Sequence, residues 1–219
     1  MIDDITQAAS DSVRKGEHIR ERVRDVMLEA LKARHFDREA IRDVVRAVTE
    51  GVTRGAEGSR VGVRQALADG FRGMDQALTT SARAGQEAIR QMVATGRGVS
   101  DHEVKQALAG LRRMEEDFVA TVREVAESSN ERLRPELGRL LSEAAHAGTE
   151  TGRQAAKLMA EFTLTGLELA GEFGVRFAQI ASGVLAGMAD ALHDGKVQDE
   201  KVQNEKMQDE KMQDRKKSK

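Results

Sequence analysis

The chain has 219 residues, of which 39% are hydrophobic and 3% aromatic, with no Trp, no Tyr, no Cys and a single Pro. Its 35 basic and 37 acidic residues are interleaved and leave a net charge of −2, which argues against nucleic-acid binding, and the lack of cysteine excludes disulfide chemistry. This composition predicts an all-α protein, an elongated bundle or hairpin of long amphipathic helices with few aromatic side chains for a small-molecule pocket.

The first predicted element is an N-terminal helix at about residues 3–34, within a unit that covers 1–36. Its apolar residues share one helical face: Ile5, Ile19, Val23, Val26, Met27 and Leu31. Asp37 then offers a good N-cap for the next helix, which places the joint just before it. The N-terminus has no basic stretch followed by an apolar one, so we expect no signal peptide.

The second predicted helix runs from about Arg38 to Thr95 and opens the long-helix domain at 37–194. Apolar residues recur in it every 11 positions, as in Ile41, Val52, Val63 and Met74, and again in Val45, Ala56, Leu67 and Leu78. Eleven residues in three turns is about 3.67 residues per turn, close to a straight α-helix. The hendecad rhythm therefore predicts one uninterrupted helix of about 87 Å.

Glycines inside this second helix are the most unusual feature of the sequence. Six of them lie on a stripe of small residues: Gly51, Gly55, Gly58, Gly62, Gly70 and Gly73. Each costs about 0.8–1.0 kcal/mol relative to alanine inside a helix, so a compensating interaction is expected. Small residues let two helix backbones approach closely. We interpret the stripe as a helix-packing surface within the chain; packing between chains and ordering on an external surface are the alternatives.

A helix break is predicted at 96–100, where two glycines favour chain termination. The sequence Ser100-Asp101-His102-Glu103 has the form of a capping box and starts a third helix. Pro135 removes one backbone hydrogen bond from that helix. Because the 11-residue register continues across Pro135, the pattern favours a kink over a reversal of the chain.

The most apolar part of the sequence lies between Leu158 and Leu192. Its candidate surface-binding face consists of Leu158, Phe162, Leu169, Phe173, Phe177, Ile180, Val184 and Met188. A helix with so wide an apolar face is central in a bundle or lies on an apolar surface. Its few charged residues are mostly glutamates, which favours a neutral surface over an anionic membrane.

The same segment bears on localisation. The uncharged stretch from Phe177 to Ala189 is shorter than the roughly 20 residues that a membrane-spanning helix needs. We expect a cytoplasmic protein that is peripheral to a granule or a membrane. The pentapeptide repeats of the tail at 195–219 place their apolar residues on no common face, so this tail is predicted to be disordered.

One pair of residues has the spacing of metal ligands. Glu143 and His146 form a Glu-x-x-His pair on one helical face, but a di-metal bundle uses this pair twice together with further glutamates. Motifs for hydrolases, nucleotide binding and zinc proteases are missing from the sequence. We therefore expect no catalytic, cofactor-binding or metal-binding residues and no small-molecule substrate, and a bundle metalloprotein is kept as a minor hypothesis.

The pattern of low-aromatic helices resembles phasins, bacterial proteins that coat polyester storage granules, and more distantly apolipoprotein-like helices. The residues that carry this resemblance lie within 37–192 and include Val52, Val63 and Met74 together with Phe162, Phe173 and Phe177. The resemblance implies a non-enzymatic role at a granule or lipid surface and assigns no catalytic residues.

Two functions from different classes follow from these observations. The leading hypothesis is a non-enzymatic protein that coats or associates with an apolar surface through its wide apolar helix face. The alternative is a self-associating coiled-coil scaffold, whose apolar faces are buried between helices. A homo-oligomer is expected in either case, and a nucleic-acid partner in neither.

Overall fold

A computed structural model describes residues 2–33, 38–94 and 101–162, and the single residues Ala181, Val184 and Leu185. Within these ranges, the side chains at 92–93, 101–112, 155 and 158–162 are not described. The described ranges contain seven helices and no strand: α1 (Ile2–Arg14), α2 (Ile19–Lys32), α3 (Arg38–Ala56), α4 (Val63–Ala94), α5 (Asp101–Ser128), α6 (Arg134–Ala147) and α7 (Glu150–Phe162). The all-α prediction is confirmed. The predicted break at 96–100 and the tail at 195–219 lie outside the described residues.

The predicted N-terminal helix is in fact two helices. α1 ends at Arg14 and α2 begins at Ile19. Between them, Gly16 and His18 adopt positive φ values of 75° and 51°. Left-handed backbone cannot continue a right-handed helix, so the chain turns here, and the prediction of a single helix at 3–34 is wrong.

The predicted 58-residue helix is likewise interrupted. α3 ends at Ala56, and α4 begins at Val63, directly after Gly62 with a φ of +88°. The two helices run antiparallel, because Thr49 Oγ1 lies 3.5 Å from the sulfur of Met74, while the later Val52 faces the earlier Gly70. The prediction of one helix from 38 to 95 is therefore wrong: α3 and α4 form a hairpin.

Helix α1 packs parallel to α3 at very short range. Gly51 lies against Ala9 and Gly55 lies against Val13, so that a methyl group on either glycine would come 2.7 and 2.8 Å from those side chains. At the end of the pair, Ser59 Oγ donates a hydrogen bond to the Val13 carbonyl at 3.2 Å. The absence of a Cβ on these glycines is what allows the two backbones to meet.

Helix α2 returns the chain to the start of α3. α1 ends near Gly55, whereas α3 begins roughly 17 residues earlier, about 25 Å away at 1.5 Å per residue. The 14 residues of α2 span about 21 Å in the opposite direction. α2 packs on α4, where Arg20 Nε donates to Gln76 Oε1 at 2.9 Å and Val23 lies beside Gly73.

The third hairpin repeats this arrangement. α5 runs parallel to α3, because the contacts between them advance together along both helices: Arg38 with Asp117, Arg46 with Glu124 and Glu57 with Asn130. α6 and α7 run parallel to α4 in the same way, with Arg64 meeting Glu136, Asp75 meeting Thr151 and Gln86 meeting Gln154. Since α3 and α4 are antiparallel, α5 is antiparallel to α6 and α7.

This topology overturns the prediction of a kink at Pro135. The chain reverses between Ser128 and Arg134. Asn130 Oδ1 accepts the backbone N–H groups of Arg132 and Leu133, each at 3.1 Å, which stabilises the turn. Pro135 lies in the first turn of α6, where a helix has no use for its missing N–H. The proline starts a helix and does not bend one.

The described chain is thus a row of three helical hairpins in two layers. α1, α3 and α5 lie parallel in one layer, and α2, α4 and the pair α6–α7 lie in the other. The three turns meet at the same end: Gly16 lies beside Arg60 of the second turn, and Asn130 of the third turn donates to Glu57.

The 11-residue rhythm marks burial and not helix continuity. Ile41, Val52 and Met74 are all buried, although the chain reverses between Val52 and Met74. Small side chains dominate the core, and its one aromatic pair among the described residues, Phe71 and Phe118, has ring centroids 5.0 Å apart. Within the described ranges, none of the helices combines the length and the apolar character needed to span a bilayer.

Two glycine substitutions test the close contact between α1 and α3. Gly55→Ala adds a methyl group 2.8 Å from Val13 Cβ and 2.5 Å from the Ser10 carbonyl oxygen, so we expect a loss of about 1–3 kcal/mol in the free energy of unfolding. Gly138→Ala on α6 meets nothing within 4 Å, and we expect a gain of about 0.5–1 kcal/mol. Urea denaturation measures both, and equal effects would contradict the packing described here.

Ion pairs on the outer side of α3 and α5 join the second and third hairpins. Arg38 donates from Nε and Nη2 to the two carboxylate oxygens of Asp117, at 2.5 and 2.7 Å. These hydrogen bonds, reinforced by the positive charges of Arg38 and Arg42, hold the pKa of Asp117 below its ordinary value. Arg42 and Arg46 both pair with Glu124.

The Asp117 pair predicts a loss of stability in acid. The pKa of Asp117 is lower in the folded chain than in the unfolded chain, so its contribution is present above the ordinary aspartate pKa and disappears as the pH falls through the folded value. We expect Asp117→Asn to unfold at lower urea concentration than the wild type at pH 7, with the difference shrinking as the pH falls below about 4. A difference that stays constant with pH would contradict this assignment.

Candidate functional site

The most polar contact in the described body lies where α4 meets the start of α7. Asp75 of α4 accepts the backbone N–H of Glu150 at 2.8 Å and that of Thr151 at 3.0 Å. The Thr151 hydroxyl donates to the Asp75 carboxylate at 2.7 Å and lies 3.3 Å from the hydroxyl of Thr79. One carboxylate therefore satisfies three donors of the first turn of α7.

A second carboxylate, from α5, holds the same turn. The Thr149 hydroxyl donates to Glu115 Oε1 at 2.6 Å and accepts the backbone N–H of Gly152 at 2.9 Å. The Glu115 carboxylate lies over Gly152, in the space that a side chain at this position would fill. We call these four residues, Asp75, Glu115, Thr149 and Thr151, the α7 clasp.

The clasp exists because a helix start carries unpaired N–H groups and a partial positive charge. Gly148, with a φ of +71°, turns the chain sharply between α6 and α7. Arg153 donates to the carbonyls of Ala147 and Gly148, at 3.1 and 3.0 Å, and so satisfies the end of α6. The joint between the two helices is thus completed by side chains from α4, α5 and α7.

Beyond the clasp, the described side chains of α7 are weakly held. Thr149 and Thr151 are buried, whereas Arg153, Ala156 and Lys157 are exposed. Gln154 is half-buried and donates to Gln86 at 3.4 Å. Among the described residues of α7, attachment to the body therefore rests on the polar clasp in its first turn.

The candidate surface-binding face follows directly after this turn, and the structure describes little of it. Leu158 and Phe162 belong to α7, but their side chains lie outside the described set. Of the other members, Val184 is described, half-buried against the core, next to the fully buried Leu185 and near the fully buried Ala181. The remaining face residues lie outside the described residues: Leu169, Phe173, Phe177, Ile180 and Met188.

The six glycines of the predicted stripe separate into two groups. Four lie at close helix contacts: Gly51 and Gly55 against α1, Gly70 against Val52 of α3, and Gly73 against α2. The other two, Gly58 and Gly62, lie in the turn between α3 and α4 and meet no atom closer than 4 Å. They form no continuous stripe, because the chain reverses within the run.

Two further candidates show no specific chemistry. Glu143 and His146 are exposed on α6, where His146 Nδ1 lies 2.7 Å from the Ser142 carbonyl. Within the described residues, no group of three or more potential ligands is arranged to hold a metal ion. A cavity of about 310 Å³ has a rim of mixed charge that specifies no single ligand class, formed by Glu50, Thr53, Arg54, Glu57, Val125, Ser128, Ser129, Asn130 and Leu133.

The sequence interpretation missed the clasp. Gly148 followed by Thr149 is a recognisable signal for a helix start. The acidic partner that a capping box would place three residues later is absent, because Gly152 occupies that position. Its role is taken by Glu115, which is distant in sequence, so only the tertiary structure identifies the pair.

The chain belongs to a family described as Family of unknown function (DUF6781), whose sequence profile matches residues 2–194. A search of curated proteins and a search of solved structures each found no match. The resemblance to phasins and apolipoprotein-like helices therefore stays a prediction from the sequence pattern.

Proposed function

We propose that this protein is a non-enzymatic coat protein for an apolar surface, such as a storage granule or a membrane. In this proposal the binding element is the apolar segment 158–188, and the hairpins α1–α6 form the folded body that carries it. The protein would be peripheral to the surface and would not cross it.

The observation that carries the proposal is the contrast between the body and the segment. Among the large apolar side chains that the structure describes, the exposed ones are Ile2 and Val61, at 38% and 43%. The described body therefore offers no contiguous apolar patch of the kind that marks a binding surface. The segment 158–188, by contrast, is rich in Leu and Phe with few charges.

The packing of residues 181–185 implies that binding needs a conformational change. Leu185 is fully buried against the core and Val184 is half-buried, so this part of the segment is docked in the closed state. Transfer of a Leu or Phe side chain from water to an apolar phase is worth about 1.5–3 kcal/mol. The eight residues of the face together can offset the cost of undocking, and a surface would shift the population toward the open form.

The charge of the segment favours a neutral surface. Glu161, Glu168 and Glu172 outnumber the single Arg176 along the polar strip. Helices that bind anionic membranes typically carry Lys and Arg at this boundary. An oil or polyester core with a neutral coat therefore fits the segment better than an anionic bilayer does.

The second candidate function is a self-associating scaffold. The observation that favours it is the full burial of Ala181 and Leu185 in the core, since a segment that stays docked would serve as core and not as a binding face. In that case the protein would act through contacts between copies of the chain. Light scattering on the purified protein, with and without droplets, separates an obligate oligomer from a chain that opens on a surface.

Flotation with neutral oil-core droplets tests the proposed function. We expect the wild type to float with the droplets and Phe173→Glu to remain in the aqueous fraction, because a charge on the apolar face costs several kcal/mol on transfer to oil. Glu172→Gln, on the polar strip beside it, is the matched control and should float like the wild type. If Phe173→Glu floats as well as the control, the apolar face is not the binding element.

A further inference from the structure

We propose that the α7 clasp is a latch that keeps the apolar segment in its closed, docked state. In this proposal Asp75 and Glu115 hold the first turn of α7 on the body, and the release of that turn makes the segment after it available. The latch rests on the proposed function for its purpose, but its opening can be measured without any surface.

The position of the clasp gives it this control. Within the described residues, the chain from α7 onward touches the body at two places: the clasp at 149–152 and the buried Ala181 and Leu185. The described side chains between them, at 153–157, are exposed or half-buried where they can be assessed. A segment held at two ends is released more easily once one end is free.

The chemistry of the clasp makes it a suitable point of release. Its contacts are hydrogen bonds to two half-buried carboxylates, not interlocked apolar side chains. Water can replace such hydrogen bonds one by one as the turn lifts, so opening does not leave a buried group without a partner. Gly148, at positive φ, ends α6 beside the clasp and separates the fold of α6 from the movement of α7.

Hydrogen exchange of the full chain is the direct test of the latch. Asp75→Ala and Glu115→Ala each remove charge-assisted hydrogen bonds from α7, so we expect its amides at 149–157 to exchange roughly ten- to a hundred-fold faster. Amides of α3 should keep wild-type rates. Asp69→Ala and Glu116→Ala change nearby carboxylates that take no part in the clasp, and these controls should leave α7 unchanged.

A disulfide variant tests the opposite direction and does not depend on weakening the fold. The side-chain oxygens of Thr79 and Thr151 lie 3.3 Å apart, and the chain has no cysteine of its own. T79C/T151C therefore offers a bond between α4 and α7 that oxidation closes and reduction opens. We expect the oxidised form to need about tenfold more droplet surface for half-maximal flotation than the reduced form, and Asp75→Ala to need about tenfold less than the wild type.

The outcomes separate the latch from the proposed function. Faster exchange that spreads evenly over α3 and α7, or no change at α7, overturns the latch whatever the droplets show. Local opening of α7 with droplet binding equal to that of the wild type overturns its role in binding. If no form floats, including the wild type, the proposed function fails, and the proposal of a latch for surface binding fails with it.

Discussion

The fold depends on how closely helix backbones can approach in a chain that has almost no aromatic side chains. Gly51 and Gly55 remove the Cβ atoms that would otherwise separate α1 from α3. Dispersion contacts and apolar burial across this short distance offset the cost of placing glycine in helices. The second and third hairpins then add beside the first in the same direction, and each helix of one layer packs parallel to the next helix of that layer.

The sequence predicted which positions are buried far better than it predicted where the chain turns. Ile41, Val52 and Met74 follow one 11-residue rhythm, and all are buried. That rhythm could not reveal the reversal between them, because Gly55 at a helix contact and Gly62 in a turn look alike in a sequence. The same ambiguity applied to Pro135, which is compatible with a kink and with a helix start. Tertiary contacts, and not local pattern, decided both cases.

The clasp shows where a functional reading of the sequence alone stops. Asp75 and Glu115 lie in separate helices, and nothing in their local sequence distinguishes them from surface carboxylates such as Asp69 and Glu116. Their importance comes from the first turn of α7, which needs acceptors and finds them only after the hairpins have assembled. The apolar segment was visible from composition, but the contacts that hold its near end on the body were not.

The central claim is that a stable body carries an apolar segment that changes its environment when it meets a surface. Hydrogen exchange of the full chain, with and without neutral oil-core droplets, tests this most directly. The account predicts stronger protection at 158–188 on the droplets, weaker protection at 149–152, and unchanged exchange in α1–α4. Unchanged exchange at 158–188 with droplets present, or loss of protection throughout α1–α4, would contradict it.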